Sequence, residues 1–382
     1  MTSTAKFYDS IDIQVQFLKQ IRNIPGEEID GLIKVLRNFI FQADTKQKVI
    51  YGIGEGRSAL ALYDFLHQLL KYEQLFPATL DDPIRRYFDP DRSNMILSAS
   101  GSGGTESVIN YLEDAHRLGA REILITAKTD SPAYKKIKSH NGFVFLIKDI
   151  ILEKPSKLAV MGSEFELKLC TMLNSILPAL DCGDVSLYYQ QIEHYLRNAE
   201  LLRNIDNKYL KSWIDKLLNR RGNFIVDGVG RSGFVAKAFG MRLTHLGQHV
   251  YIKGDPTTPS FVRGDVYIPI SGSGNTREIL EGMMKARSKG ADVFPITVDK
   301  SSRMVELMKE WKYDDNIIFI PVEEGDMNIF HDKTPSKITT TKMNQMRPSI
   351  SEINSYIFTN AIIASAIDFL GVDEKYMRRI HW

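Results

Sequence analysis

Cysteine is scarce in this chain: Cys170 and Cys182 are the only two among 382 residues. Two thiols at that spacing supply neither a disulfide framework nor a zinc knuckle, so stability has to come from buried apolar surface, and a reducing, cytoplasmic setting is expected. Net charge is nearly absent too, since 49 Lys and Arg face 47 Asp and Glu. That balance offers no basic surface to nucleic acid or to an anionic membrane, and neither is an expected partner. Residues Met1 to Asp9 lack the basic-then-apolar order of a secretory signal, and no continuous run of about 18 apolar residues occurs. None of the glycine-rich strings ends in Gly-Lys-Ser/Thr, which argues against a nucleotide P-loop. His245 and His249 stand four apart, but Gly247 between them should end a helix, so no metal ligation is expected.

What is present is length, apolar content and repetition. A chain of 382 residues, 43% of them hydrophobic, is enough for two domains with separate cores. Three landmarks occur twice in the same order. An apolar run ends in Gly52-Ile53-Gly54-Glu55-Gly56-Arg57-Ser58 and again in Gly228-Val229-Gly230-Arg231-Ser232. A Ser-Gly-Ser-Gly-x-Thr string covers Ser100 to Thr105 and Ser271 to Thr276. A small-residue stretch leads to a glutamate at Gly162-Ser163-Glu164-Phe165-Glu166 and at Pro348-Ser349-Ile350-Ser351-Glu352. Such self-similarity implies an internal duplication. Asp181-Cys182-Gly183-Asp184 interrupts two helical patterns, so the boundary is placed there, with domains at 1–183 and 184–382.

Within each copy, amphipathic helical segments come first: Ile13 to Ile24 and Glu28 to Ala43, then Leu187 to Asn204 and Lys208 to Asn219. Short β-rich runs then alternate with helical stretches. In the second copy the strands are expected at Asn223–Val226, His249–Ile252, Asp265–Ile270, Val293–Val298 and Ile317–Val322, with helices at Gly233–Leu246 and Thr276–Lys289. This alternation predicts an α/β fold in which each domain is a doubly wound parallel sheet flanked by helices. In such sheets ligands bind beyond the carboxyl ends of the strands, where loops enter helix N-termini that attract anions.

Both glycine-bearing strings occupy that position. In Ser271-Gly272-Ser273-Gly274-Asn275-Thr276, and in Ser100, Gly101, Ser102 and Thr105 of the first copy, hydroxyls and successive backbone N–H groups can surround a tetrahedral anion. The alternative is an ordinary strand-to-helix loop with Thr276 as N-cap; recurrence of the same spacing favours a phosphate cradle. The turns holding Gly56, Arg57 and Ser58, and Gly230, Arg231 and Ser232, place an arginine for a ligand oxygen or a neighbouring carboxylate. Glu55 makes the first of these turns more acidic.

Taken together, these strings resemble the sugar isomerase (SIS) domain, and Asp227 to Gly247 is similar to the 6-phospho-3-hexuloisomerase family. The likeness covers most of residues 187 to 375 and, more loosely, 10 to 182. It implies two tandem SIS domains, no cofactor, a sugar phosphate as substrate, and a homodimer carrying four such domains. It further implies Glu352 and Glu166 as bases for enediol proton transfer, assisted by His245. Fourteen residues after Arg57, where the second copy has His245, the first has Lys71. Two other readings stay open: a phosphoglucose/phosphomannose-type isomerase, and a regulatory protein that binds sugar phosphates without converting them. The polar stretch Glu323 to Met346 is expected to be a long loop before the last helix.

Overall fold

The computed structural model describes residues 3–79, 82, 88–148, 158, 162–326 and 350–380. They form two compact units. One runs from Phe17 to residue 148 and from Gly162 to His194; the other takes the chain up to Gln16, Leu158, and the described residues from Tyr195 onward. The division in space thus falls inside α1 (Ser3–Arg22) and α7 (Ser186–Leu201), whereas the boundary expected from the repeat is 183/184.

In the unit holding the first copy, α2 (Gly26–Phe41) precedes β1 (Lys48–Ile53), α3 (Gly56–Leu69), β2 (Leu75–Thr79) and β3 (Ser93–Ser100). Then come α4 (Glu106–Arg117), β4 (Arg121–Thr126), α5 (Pro132–Ser139), β5 (Phe143–Leu146) and α6 (Ser163–Cys182). The five strands are all parallel, in the order β2-β1-β3-β4-β5. Every residue of β1, and seven of the eight in β3, is buried, as helices on both faces require.

The second copy repeats the plan with α8 (Asn207–Leu218), β6 (Phe224–Asp227), α9 (Arg231–His245), β7 (Val250–Ile252) and β8 (Val266–Ser271). After α10 (Arg277–Ser288) follow β9 (Asp292–Val293), β10 (Ile296–Thr297), α11 (Arg303–Glu310) and β11 (Ile318–Phe319). The last helices are α12 (Ile350–Leu370) and α13 (Glu374–Ile380). Strand order is β11-β10-β8-β6-β7, with β9 also beside β8. The doubly wound α/β architecture expected from the alternation is therefore the one observed.

Three local differences have physical causes. The single strand expected over Val293–Val298 is split into β9 and β10 at Phe294-Pro295, because proline has no N–H for the ladder, although its carbonyl still accepts from Ile318 N at 2.9 Å. Helix α1 starts at Ser3 rather than Ile13, since Phe7 and Ile11 extend the buried stripe formed by Val15 and Leu18. Helix α12 is apolar on every side and, among the described residues, is the one helix long and apolar enough to cross a membrane. Most of it is buried inside the unit: Phe358 meets Trp213 and Phe7 edge-on, with ring centroids 6.0 and 5.5 Å apart. Gln14 donates to the Ile357 carbonyl at 3.0 Å and accepts from Asn360. Of the polar stretch after Glu323, the described part is anchored: Asn198 accepts from Glu323 N at 2.8 Å and donates to Asp326 at 3.1 Å. Its remainder lies outside the described residues.

Trp213 is fully buried and its indole N–H donates to the Asn316 carbonyl at 2.8 Å. Trp213→Phe keeps an aromatic ring there and leaves that carbonyl without its donor. The expected cost is about 1–3 kcal/mol, seen as a lower urea midpoint at unchanged slope; an unchanged midpoint would show that water reaches the carbonyl.

Candidate active sites at the sheet switch points

Each sheet reverses its winding direction once. From β1 the chain passes through α3 to β2 on one side, while β3 leads through α4 to β4 on the other. In the second copy the same reversal lies between β6 and β8. The loops after these four strands are the two Gly-Arg-Ser turns and the two Ser-Gly-Ser-Gly-x-Thr strings. The sheet topology therefore opens a crevice between the two motifs within each unit.

The two strings fold alike. Ser100 Oγ accepts from Gly103 N at 3.0 Å and lies 2.8 Å from Thr105 Oγ1. Ser271 Oγ accepts from Gly274 N at 3.1 Å and lies 3.2 Å from Thr276 Oγ1. Ser102 and Ser273 each accept from the N–H two residues on. Thr105 and Thr276 have the backbone of N-caps, yet neither side chain caps its helix, because each hydroxyl is turned toward the first serine of its string. The opening N–H groups of α4 and α10 are left facing the loop, a favourable arrangement for an anion. Ser100 and Ser271 are buried and act as braces, whereas Ser102, Ser273, Thr105 and Thr276 retain exposure to a ligand.

Gly103 and Gly274 sit at φ +62° and +59°, where an added Cβ would overlap the hydroxyls of Ser131 and Ser302. Neither of those serines was singled out in the sequence. They stand in the same register as the strings, and that offset is the signal that finds them. Gly274→Ala is expected to weaken binding of inorganic phosphate about tenfold in calorimetry, since the added Cβ would run into Ser302 and Thr297 and displace the loop whose N–H groups face the anion. Unaltered affinity would remove the second string from the anion site.

The glutamates reach the other side of the crevice. Glu352, in the first turn of α12, accepts from Ser232 Oγ at 3.3 Å and lies 3.8 Å from the Arg231 guanidinium. Glu166, in the first turn of α6, pairs with Arg57 at 3.1 Å, and Arg57 also donates to Ser163 Oγ at 3.2 Å. Gly101 of the first string packs on the Phe165 ring, and Glu55 accepts from Ser107 Oγ at 2.6 Å, so all three landmarks of that copy converge. The pairs differ in enclosure. Arg57 and Glu166 side chains are 3% and 14% exposed, Arg231 and Glu352 20% and 11%. Glu352 Oε2 is buried and has no hydrogen-bond partner among the described residues.

His245 is not brought to Glu352. It closes α9, fourteen residues after Arg231, which puts it ~21 Å along the helix axis from the turn. Its first-copy counterpart Lys71 follows α3 and pairs with Asp181 at 2.7 Å, as does the hydroxyl of Tyr72. A group not foreseen from the sequence lies at the end of β6. Asp227 accepts from the Tyr267 hydroxyl and pairs with Lys253 at 3.1 Å; burial, reinforced by the carboxylate, pushes the Tyr267 phenol up from its ordinary range.

No family model matches the chain. A 3-hexulose-6-phosphate isomerase from Methylomonas aminofaciens is 35% identical over 183 residues, 47% of this chain and 92% of that protein. Another protein of the same name, from Methanocaldococcus jannaschii, is 34% identical over 173 residues, 45% of this chain and 82% of its own length. Over almost the whole chain the fold resembles the crystal structure of tagatose-6-phosphate ketose/aldose isomerase from Escherichia coli, with TM-score 0.60 at 14% identity, covering 98% of this chain and 96% of that one.

Proposed function

Because the chain belongs to the 3-hexulose-6-phosphate isomerase family of SIS-domain proteins, we propose that it interconverts a 3-hexulose 6-phosphate and fructose 6-phosphate. The supporting observation is the state of Glu352: a nearly buried carboxylate at the switch point, with one oxygen lacking a hydrogen-bond partner among the described residues. In the reaction Glu352 takes the proton from C2 of the 3-ketose. The electron pair forms the C2–C3 double bond of an enediolate; the O2 hydroxyl proton passes to O3, the abstracted proton is returned to C3, and the carbonyl is left at C2. A carboxylate within hydrogen-bond reach is sufficient for such transfer, with Arg231 and the turn N–H groups placed to stabilise the enediolate oxygens. Ser273, Thr276 and the N-terminus of α10 hold the phosphate.

The first copy favours a second role, binding a sugar phosphate without converting it. Its cradle has the same hydrogen-bond pattern, but Glu166 is occupied by the enclosed Arg57, and Glu55 adds negative charge at the turn. A catalytic part for His245 requires a site other than the one built around Glu352. We also place the protein in the cytoplasm as a homodimer of the 43.5 kDa chain, a state that light scattering reads directly.

The deciding assay follows turnover and solvent-proton exchange with 3-hexulose 6-phosphate, fructose 6-phosphate and glucose 6-phosphate. Exchange into the first two alone supports the proposal. Turnover of glucose 6-phosphate would favour the phosphoglucose-type reading, and binding of all three with no exchange would leave a regulatory protein.

A further inference from the structure

In the unit that holds the first copy, two helices end beside one strand. Helix α4 closes through Leu118 and Gly119 (φ +73°), and α5 through His140 and Asn141 (φ +59°). Both turns lead directly into strands, β4 and β5, which are neighbours in the sheet. His116, in the last turn of α4, and His140, capping α5, are thereby laid one on the other, with ring centroids 3.7 Å apart and planes 11° from parallel. Glu122, the second residue of β4, is nearly buried beneath them. Its carboxylate lies 3.0 Å from His140 Nδ1 and 3.9 Å from His116 Nδ1. These residues lie at the amino ends of the strands, opposite the switch-point loops, and their spacing gives no sign of a metal motif.

We propose that His116, Glu122 and His140 form a binding site for a zinc-class divalent ion. Two imidazoles and one carboxylate are ligands suited to such an ion, which prefers four-coordinate geometry with bonds of about 2.0–2.2 Å and ligand atoms therefore roughly 3.3 Å apart. One potential ligand atom from each residue lies within 4.8 Å of the other two, and the separations of the two Nδ1 atoms from the carboxylate oxygens facing them, 3.0 and 3.9 Å, bracket the required spacing. An independent feature points the same way. With Nδ1 of His140 directed at Glu122, its Nε2 lies 3.8 Å from Glu113, which is itself paired with Lys136 at 2.6 Å. At that distance Glu113 faces the far ring nitrogen without a direct hydrogen bond and supplies an outer carboxylate beside the group.

The electrostatic setting suits added positive charge. The C-terminal ends of α4 and α5 direct their negative poles here. Burial raises the Glu122 carboxyl above its ordinary range, against the opposing effect of the two imidazoles. His140 is almost enclosed, whereas the His116 side chain is half exposed and is the member able to rotate out of the stack to complete coordination, with water in the fourth position. The bound ion would join the ends of two helices to a central strand.

The experiment uses the full chain stripped with a chelator and titrated with Co²⁺ and Zn²⁺ in calorimetry. The expected result is one ion per chain in the micromolar range or tighter, with visible Co²⁺ absorption of four- or five-coordinate character and a raised melting temperature. His116→Ala, a change at a half-exposed side chain, should weaken binding at least tenfold without altering isomerase turnover; Glu122→Gln should abolish it. Absence of saturable binding by the unaltered protein at 100 µM metal (on the order of the weakest affinity a site of this kind would show), or equal binding by His116→Ala, would overturn the site and leave a proton-sharing cluster.

Discussion

Glu352→Gln lowers kcat for the 3-hexulose 6-phosphate and fructose 6-phosphate pair by about 10²–10⁴-fold, the range expected when a positioned general base is removed. The amide keeps the shape of the carboxylate and can still meet Ser232, so substrate binding should change only a few-fold. The loss should appear in kcat and in proton exchange together, the signature of an interaction made in the transition state. The geometry favours this glutamate over its counterpart. Its separation from Arg231 is 3.8 Å, too long for a tight hydrogen-bonded ion pair, and Oε2 has no hydrogen-bond partner among the described residues. A carboxylate so placed has one oxygen that no hydrogen bond among the described residues ties down. Retention of more than a tenth of turnover in Glu352→Gln would move the base elsewhere.

Much of this was legible in the sequence because the physics involved is local. Strands buried on both faces are apolar through their interiors, as β1 is over residues 49–53 and β8 over residues 266–270, and a loop that turns through positive φ favours glycine, as at Gly103 and Gly274. The pairing of Arg57 with Glu166 and of Arg231 with Glu352 followed less directly. Duplication identified both members of each pair, but only the sheet order brings the start of the last long helix to the turn after the first strand. What escaped depends on how chain ends and strand edges meet. Ser131 and Ser302 donate to the carbonyls of Lys128 and Asp299 and fill the space a glycine leaves in each string, and the His116–Glu122–His140 group joins three elements whose residues have no common spacing. His245 shows the opposite limit. Position within a motif identified it, yet helix length alone keeps it from the carboxylate of its own copy.

Glu166→Gln is expected to act on stability instead of turnover. The Arg57 side chain is 3% exposed, and its charge is met by Glu166 at 3.1 Å, with Ser163 as a neutral partner. An arginine cannot discharge itself by losing a proton, so removing the facing carboxylate takes from a buried cation a charge that offsets part of its desolvation cost. Breaking such a pair typically costs 3–5 kcal/mol; with Glu166 partly exposed, about 3 kcal/mol is expected. For a unit of this size that corresponds to a melting temperature lower by about 6–12 °C. Turnover per folded molecule should remain within about twofold, because nothing that reacts has been removed. The double variant Arg57→Met, Glu166→Gln should recover part of the stability, since methionine carries no charge to desolvate. The same substitution in the two copies thus separates their roles: kcat falls when the looser pair is altered, and the melting temperature falls when the enclosed one is. If Glu166→Gln instead abolishes turnover at unchanged melting temperature, the working site belongs to the first copy, and the enclosed ion pair is the resting state of its base.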